Sequence, residues 1–191
     1  VSAVISGVAS LSKILEDGRR QIIGLVHPND FLAHPSYPVA RWHIEALTDV
    51  RVCGIERSAF DKILEVSPRL QARILDIAQT ELGMAREFMV MLGKKNARER
   101  ICSFVVYLVN RQHNSNGTTE GIASSKYIDL SISRYHVADF LGLTMETVSR
   151  QFSALSADHV LEFLGRNTVY IPDFRVLLME SGDDCDGAVI A

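Results

Sequence analysis

The chain has 191 residues, with 20 Lys+Arg against 23 Asp+Glu and a formal charge of −3. Apolar residues make up 47% and charged residues 23%, which excludes a disordered or collagen-like chain. No apolar run of about 18 residues occurs, which excludes a transmembrane helix. The near-neutral balance argues against a non-specific coat for nucleic acid but leaves room for a local basic site. Three widely spaced cysteines, Cys53, Cys102 and Cys185, make no disulfide framework and fit a reducing cytoplasm.

Residues 1–66 carry the signals of β-structure. Val1–Gly7 reads as a strand entered in mid-course, without the basic flank of a signal peptide, so the chain is expected to be a piece of a longer protein. Val8–Leu15 and Arg19–Leu25 flank Asp17-Gly18, a hairpin signal. Pro28-Asn29-Asp30 marks another turn, and Trp42–Ala46 and Val50–Ile55 offer two more strands. Short strands with regular turns predict a small barrel or sandwich.

The period changes at Ser67-Pro68, a helix start with a capping hydroxyl and Pro at the first helical position. A helix over 67–92 carries two apolar rows. One is Leu70, Ile74, Ile77, Met84, Phe88 and Met91; the other is Leu75, Ala78, Leu82, Ala85, Met89 and Leu92. One row can cover the barrel, while a second row needs a second surface, either a coiled-coil partner or the interior of the same chain. Gly93 is expected to end this helix and Asn96–Arg111 to form another. Its start, KKNARER (94–100), fits phosphate contact or a solvated face. His113–Ser125 reads as an exposed loop, and the chain from Ser181 as a disordered acidic tail.

Residues 130–171 carry the functional pattern. Ser133 caps a short helix with Val137, Phe140 and Leu141 inward; Gly142 supplies a tight turn; Thr144 caps a second helix, Met145–Leu155, with Val148, Phe152 and Leu155 inward. Helix, glycine turn, helix predicts a unit whose second helix enters the major groove. That helix leaves Glu146, Thr147, Ser149 and Arg150 free. Arg can bond guanine bidentately, Glu can accept from cytosine, and Ser can bond a base or phosphate. Leu161–Ile171 reads as a hairpin wing turning at Gly165-Arg166-Asn167, and Ser133, Thr144 and Arg166 are expected as further DNA contacts. From Lys94 to Arg175 there are ten Lys/Arg against eight Asp/Glu, so this part is basic while the rest is acidic.

On these features the sequence resembles the Crp/Fnr family of transcription regulators over nearly its whole length. EDGRRQIIGL (16–25), PNDFL (28–32), LGKKNARERI (92–101) and LGLTMETVSR (141–150) resemble its FNR/FixK branch. The resemblance implies an α+β fold: a cyclic-nucleotide-binding-like β-barrel or jelly roll (1–66), a dimerisation helix (67–92), a winged helix-turn-helix (93–176) and an acidic tail (177–191). It implies that Glu146, Ser149 and Arg150 read half-sites of the TTGAT…ATCAA type. Leu75, Ala78, Leu82, Ala85 and Met89 would form a parallel dimer seam. The implied partners are palindromic DNA, a second copy of the chain and RNA polymerase, with no membrane.

Cyclic-nucleotide members hold their ligand with a Gly-Glu pair and a later Arg-Ser pair. Residues 30–46 lack Gly-Glu, and Arg41 is followed by Trp42, so no cyclic nucleotide is expected. FNR-like members hold a [4Fe–4S] cluster with three N-terminal cysteines and one internal cysteine. Cys53 resembles the internal ligand, and the other three would precede Val1; the alternative is a small buried strand residue in a FixK-like protein without a cluster. His159 stands where the family has a glycine, which puts the wing's turn in question. A cupin-like small-molecule enzyme is the alternative from another class. His27, His34, His43 and Glu45 carry it, but without a His-X-His pair, so no enzyme is expected.

Overall fold

The computed structural model describes residues 1–32, 42–116, 126–130, 132–165 and 167–183. The first part holds strands β1 (Ser2–Ser6), β2 (Ala9–Ile14), β3 (Arg20–Val26), β4 (His43–Ala46) and β5 (Arg51–Gly54). β3, β2 and β4 form one antiparallel sheet, and β1 pairs with β5 in another. Both sheets contribute to a small core of Val4, Ala9 and Val26, with Leu11, Leu32 and Val50 packed against it. Among the described residues the strands do not close into a barrel; β5 is exposed along its length. The Asp17-Gly18 turn is as expected: Gly18 takes φ +85, and the Leu15 and Gly18 amides donate to Arg19 and Leu15 carbonyls.

The strands give way to helices sooner than the sequence pattern predicts. Residues 57–66, expected to continue the β-structure, form helix α1 (Arg57–Val66), whose only buried side chain is Phe60. One buried residue in ten leaves too faint a stripe to read. α2 (Pro68–Lys94) starts as expected, with the Ser67 hydroxyl accepting the Leu70 amide. It runs past Gly93 and stops where Lys95 turns extended (φ −78, ψ 142). α3 (Ala97–Asn116) likewise extends four residues into the expected loop; 117–125 lie outside the described residues.

The C-terminal part contains β6 (Tyr127–Asp129), α4 (Arg134–Leu141), α5 (Met145–Ala157), β7 (Glu162–Phe163), β8 (Thr168–Tyr170) and α6 (Phe174–Ser181). The wing is three-stranded, in the order β6-β8-β7, so the expected hairpin gains a strand from before the helix-turn-helix. α6 spans the expected boundary at residue 176 and replaces the start of the expected tail. Leu177 and Ser181 are buried, and Glu180 and Asp183 are ion-paired to Arg98 and Lys95. Such distant pairings leave no periodicity in the sequence. Residues 184–191, including Cys185, lie outside the described residues.

One continuous core joins the parts. Phe140 of α4 sits among Phe88 of α2 and Phe104 and Tyr107 of α3, with ring centroids 4.6, 5.5 and 6.0 Å away. Ile22 and Leu25 of β3 belong to the same cluster. The first helix of the helix-turn-helix is thus keyed between the long helix, its successor and the β-sheet. Aromatic contacts of this kind add to the burial of large apolar surfaces.

Candidate nucleic-acid interface

The helix-turn-helix is built by its capping residues. Ser133, in extended conformation, accepts the His136 amide and lies 2.9 Å from His136 Nδ1, starting α4. Gly142 ends α4 in the left-handed conformation (φ 61, ψ 40), a region glycine enters at little cost. Thr144 then accepts the Thr147 amide at 3.2 Å, and its hydroxyl lies 3.1 Å from the Thr147 hydroxyl. Ser133 and Thr144, expected at the DNA, are thus occupied as caps, though both stay exposed.

α5 separates its faces cleanly. Val148, Phe152 and Leu155 are fully buried, Glu146 and Arg150 are exposed, and Thr147 and Ser149 are half-buried beside them. Glu146 and Arg150 stand one turn apart on the outer side. The Glu146 carboxyl is held below its ordinary pKa by its own backbone N–H and by the Thr144 hydroxyl, so near neutral pH it is a charged acceptor at the positive end of the helix. An exposed guanidinium, a carboxylate and a hydroxyl on one rigid helix can read base edges. Arg166, the expected wing contact, lies outside the described residues.

The far end of α5 is pinned to the body. Arg98 bonds Asp158 at the α5 C-cap (2.7 Å) and Glu180 on α6 (2.6 Å), which together hold its charge firmly. Lys95 pairs with Asp183 and donates to Ser103, and Arg100 donates to three backbone carbonyls. The KKNARER cations at 95, 98 and 100 are therefore structural ties rather than phosphate contacts or a solvated face. His159 takes the left-handed φ of +57 after α5, doing the work of the expected glycine at a conformational cost. The β7–β8 pairing is formed nonetheless.

On α2 the two apolar rows have different fates. Ile74, Ile77, Met84 and Phe88 are partly covered and Met91 is buried, whereas Leu75, Leu82 and Met89 remain 60%, 52% and 74% exposed. Ala85 is exposed with them and Ala78 is half-covered. Leu75, Leu82 and Met89 recur every seven residues, as do Ala78, Ala85 and Leu92, so the more exposed row has heptad spacing.

Cys53, on β5 opposite Ala3, is exposed, contrary to the reading of it as a buried strand residue. Among the described residues β5 pairs only with β1. Cys102 is buried in α3, and burial pushes its thiol up to about 12. A cubane cluster takes four thiolates, and among the described residues no three His, Cys, Asp or Glu side chains gather to hold a metal. The donors of this chain do not by themselves fit the cluster. The metal-site reading fares no better: His27 is buried, Glu45 is ion-paired to Arg20, and His34 lies outside the described residues, as do 33–41 of the segment judged against a cyclic nucleotide. No helix of the described residues is long and apolar enough to cross a membrane.

Known proteins align with both parts. Residues 1–67 match the family model described as cyclic nucleotide-binding domain, and residues 99–179 match the Crp-like helix-turn-helix domain. The chain is 39% identical to the transcriptional activator protein FnrL of Cereibacter sphaeroides, over 99% of this chain and 75% of that protein. It is 38% identical to the nitrogen fixation regulation protein FixK of Bradyrhizobium diazoefficiens, over 80% of this chain and 62% of that one. Its structure superposes on that of FixK2 from Bradyrhizobium japonicum with a TM-score of 0.82 at 30% identity, over 96% of this chain and 87% of that chain.

Proposed function

Because the chain belongs to the Crp/Fnr family of transcription regulators, we propose that it works as a homodimer reading palindromic DNA with one α5 helix per half-site. The observation that carries this is the outer face of α5, where Glu146, Ser149 and Arg150 stand opposite a fully buried row. The open heptad row of Leu75, Ala78, Leu82, Ala85 and Met89 supplies the dimer seam. Pairing two α2 helices sets the distance between two recognition helices, and half-sites about 34 Å apart then fit one dimer geometry. In this reading Ser133, Thr144, Thr147 and Arg166 are further contacts with the DNA. The role is non-enzymatic and cytoplasmic, with RNA polymerase as the partner for gene control.

The test is base preference. Arg150→Ala should cost about 1–3 kcal/mol at one base position of a TTGAT…ATCAA duplex and relax the choice there. A variant with wild-type preference at every position would remove Arg150 from its role.

The likeness to FnrL favours control of anaerobic or microaerobic genes in response to oxygen or redox state, with Cys53 as one ligand of a [4Fe–4S] cluster in a longer protein. The likeness to FixK supports a second reading, a FixK-like regulator without a cluster. Residues 30–46 lack the pairs that grip a cyclic nucleotide, so none is proposed as effector. Iron and sulfide content of the anaerobically purified protein, before and after air, separates the two readings.

A further inference from the structure

Side chains from two directions meet at the turn of the helix-turn-helix. Gln21, on β3, donates Nε2 to the Phe140 carbonyl at 2.9 Å, and Arg100, on α3, donates to the Leu141 carbonyl at 3.0 Å. These are closing carbonyls of α4, which a helix cannot satisfy within itself. Arg100 also holds the carbonyls of Leu92 (2.8 Å) and Lys95 (2.9 Å), so one guanidinium ties the end of α2, its cap and α4 together.

One residue before Gln21, Arg20 donates Nε to Asp139 of α4 at 2.6 Å and pairs with Glu45 of β4. Its guanidinium also lies 5.3 Å from the Tyr135 ring centroid, again on α4. Arg20 and Asp139 are both largely buried, where removing one partner strands the other. α4 and α5 are joined by only three residues, Gly142–Thr144, so a grip on α4 also orients α5. That grip leaves the outer face of α5 untouched, since Glu146 and Arg150 stay exposed.

We infer that Arg20 and Gln21 are positioning residues for DNA recognition: the β3 strand of the N-terminal sheet holds α4, and through it α5, in the orientation that a palindrome requires. A shift of the β2–β3 hairpin then reaches the DNA surface through side-chain contacts as well as through α2. The inference rests on the palindrome-reading function proposed above.

The experiment compares the wild type with Arg20→Ala, Asp139→Ala and the double variant, with Arg20→Lys as the conservative change. Arg19→Ala serves as control, because Arg19 pairs with Asp17 in the exposed hairpin turn. Affinity is measured for the palindrome, for a palindrome with its spacer lengthened by about two base pairs, and for a single half-site. Dimerisation is followed by sedimentation. Arg20→Ala and Asp139→Ala should each weaken palindrome binding about tenfold, and the double variant should lose little more than either. The preference for natural over lengthened spacing should fall, while dimerisation and half-site affinity hold, and Arg20→Lys should recover part of the loss. Unchanged affinity and spacing preference would overturn the inference. So would a parallel loss of half-site affinity or of the dimer, since either shows damage to the fold. A wild type without preference for the palindrome would instead sink the underlying reading.

Discussion

Gly142 offers a substitution whose cost follows from the geometry alone. A Cβ built on it lies 3.7 Å from Gln21 Oε1, 3.8 Å from an Arg100 guanidinium nitrogen and 3.8 Å from Leu92 Cδ2, all ordinary contacts. Gly142→Ala therefore meets no clash, and its penalty is the left-handed backbone at φ 61. That strain is about 1–2 kcal/mol for an L-residue. Stiffening the unfolded chain returns about 0.4–1 kcal/mol. The net loss should be about 1 kcal/mol, or about 2–4 °C in Tm for a chain of this size. Gly142→Asn should cost less, because Asn tolerates this region. Gly7 is the contrast. Its φ is +87 and a Cβ there would lie 2.2 Å from the Asp49 carbonyl oxygen, so backbone must move, and Gly7→Ala should cost about 3 kcal/mol or more. Urea titration of the three variants at one pH gives the comparison. A Gly142→Ala loss as large as that of Gly7→Ala would show that packing at the turn, not backbone strain, sets the cost. A neutral Gly142→Ala would refute the left-handed turn.

The other expectations concern the seam, a buried histidine and the thiols. Leu82→Lys places a charge in the exposed heptad row and should yield a folded monomer by sedimentation with unchanged helical content; a persisting dimer would place the seam elsewhere. His27 is 7% exposed, and its burial, reinforced by the nearby Arg111 guanidinium, lowers its pKa to about 4. The unfolded chain takes up this proton near pH 6.5 and the fold does not until about pH 4. Stability should therefore be full above pH 6.5 and fall as pH drops toward 4, by about 2 kcal/mol at pH 5. Urea midpoints of the wild type and His27→Asn read this, and an equal pH slope in both would remove His27 as the cause. Under native conditions Cys53 should alkylate readily while Cys102 labels only on unfolding, which peptide mass mapping resolves; early labelling of Cys102 would contradict its burial.

What the sequence disclosed were the features written in neighbouring residues. The Ser67, Ser133 and Thr144 caps, the Asp17-Gly18 hairpin turn, the left-handed Gly142 and the inward row of α5 are all local, and each stands where its spacing predicts. The two rows on α2 were also visible, but which row faces solvent depends on packing against α3 and α4. α1 escaped because a single buried Phe60 makes no stripe. α6 and β6 escaped because their partners are distant: α6 is held through Arg98 and Lys95, and β6 exists as the neighbour of β8. The roles of Arg98, Arg100 and Arg20 were hidden for the same reason. A basic string at a helix start looks solvated until the carboxylates and carbonyls that meet it are located.

The central claim is sequence-specific reading of DNA by a dimer. Its most direct test is an anisotropy titration of the protein on a TTGAT…ATCAA duplex and on a scrambled duplex of equal length, at several salt concentrations. One dimer should bind per palindrome, with affinity at least about a thousandfold above that for the scrambled duplex, and the logarithm of the affinity should fall linearly with the logarithm of salt concentration as phosphate contacts release counterions. Equal affinities for the two duplexes, or binding indifferent to salt, would contradict it.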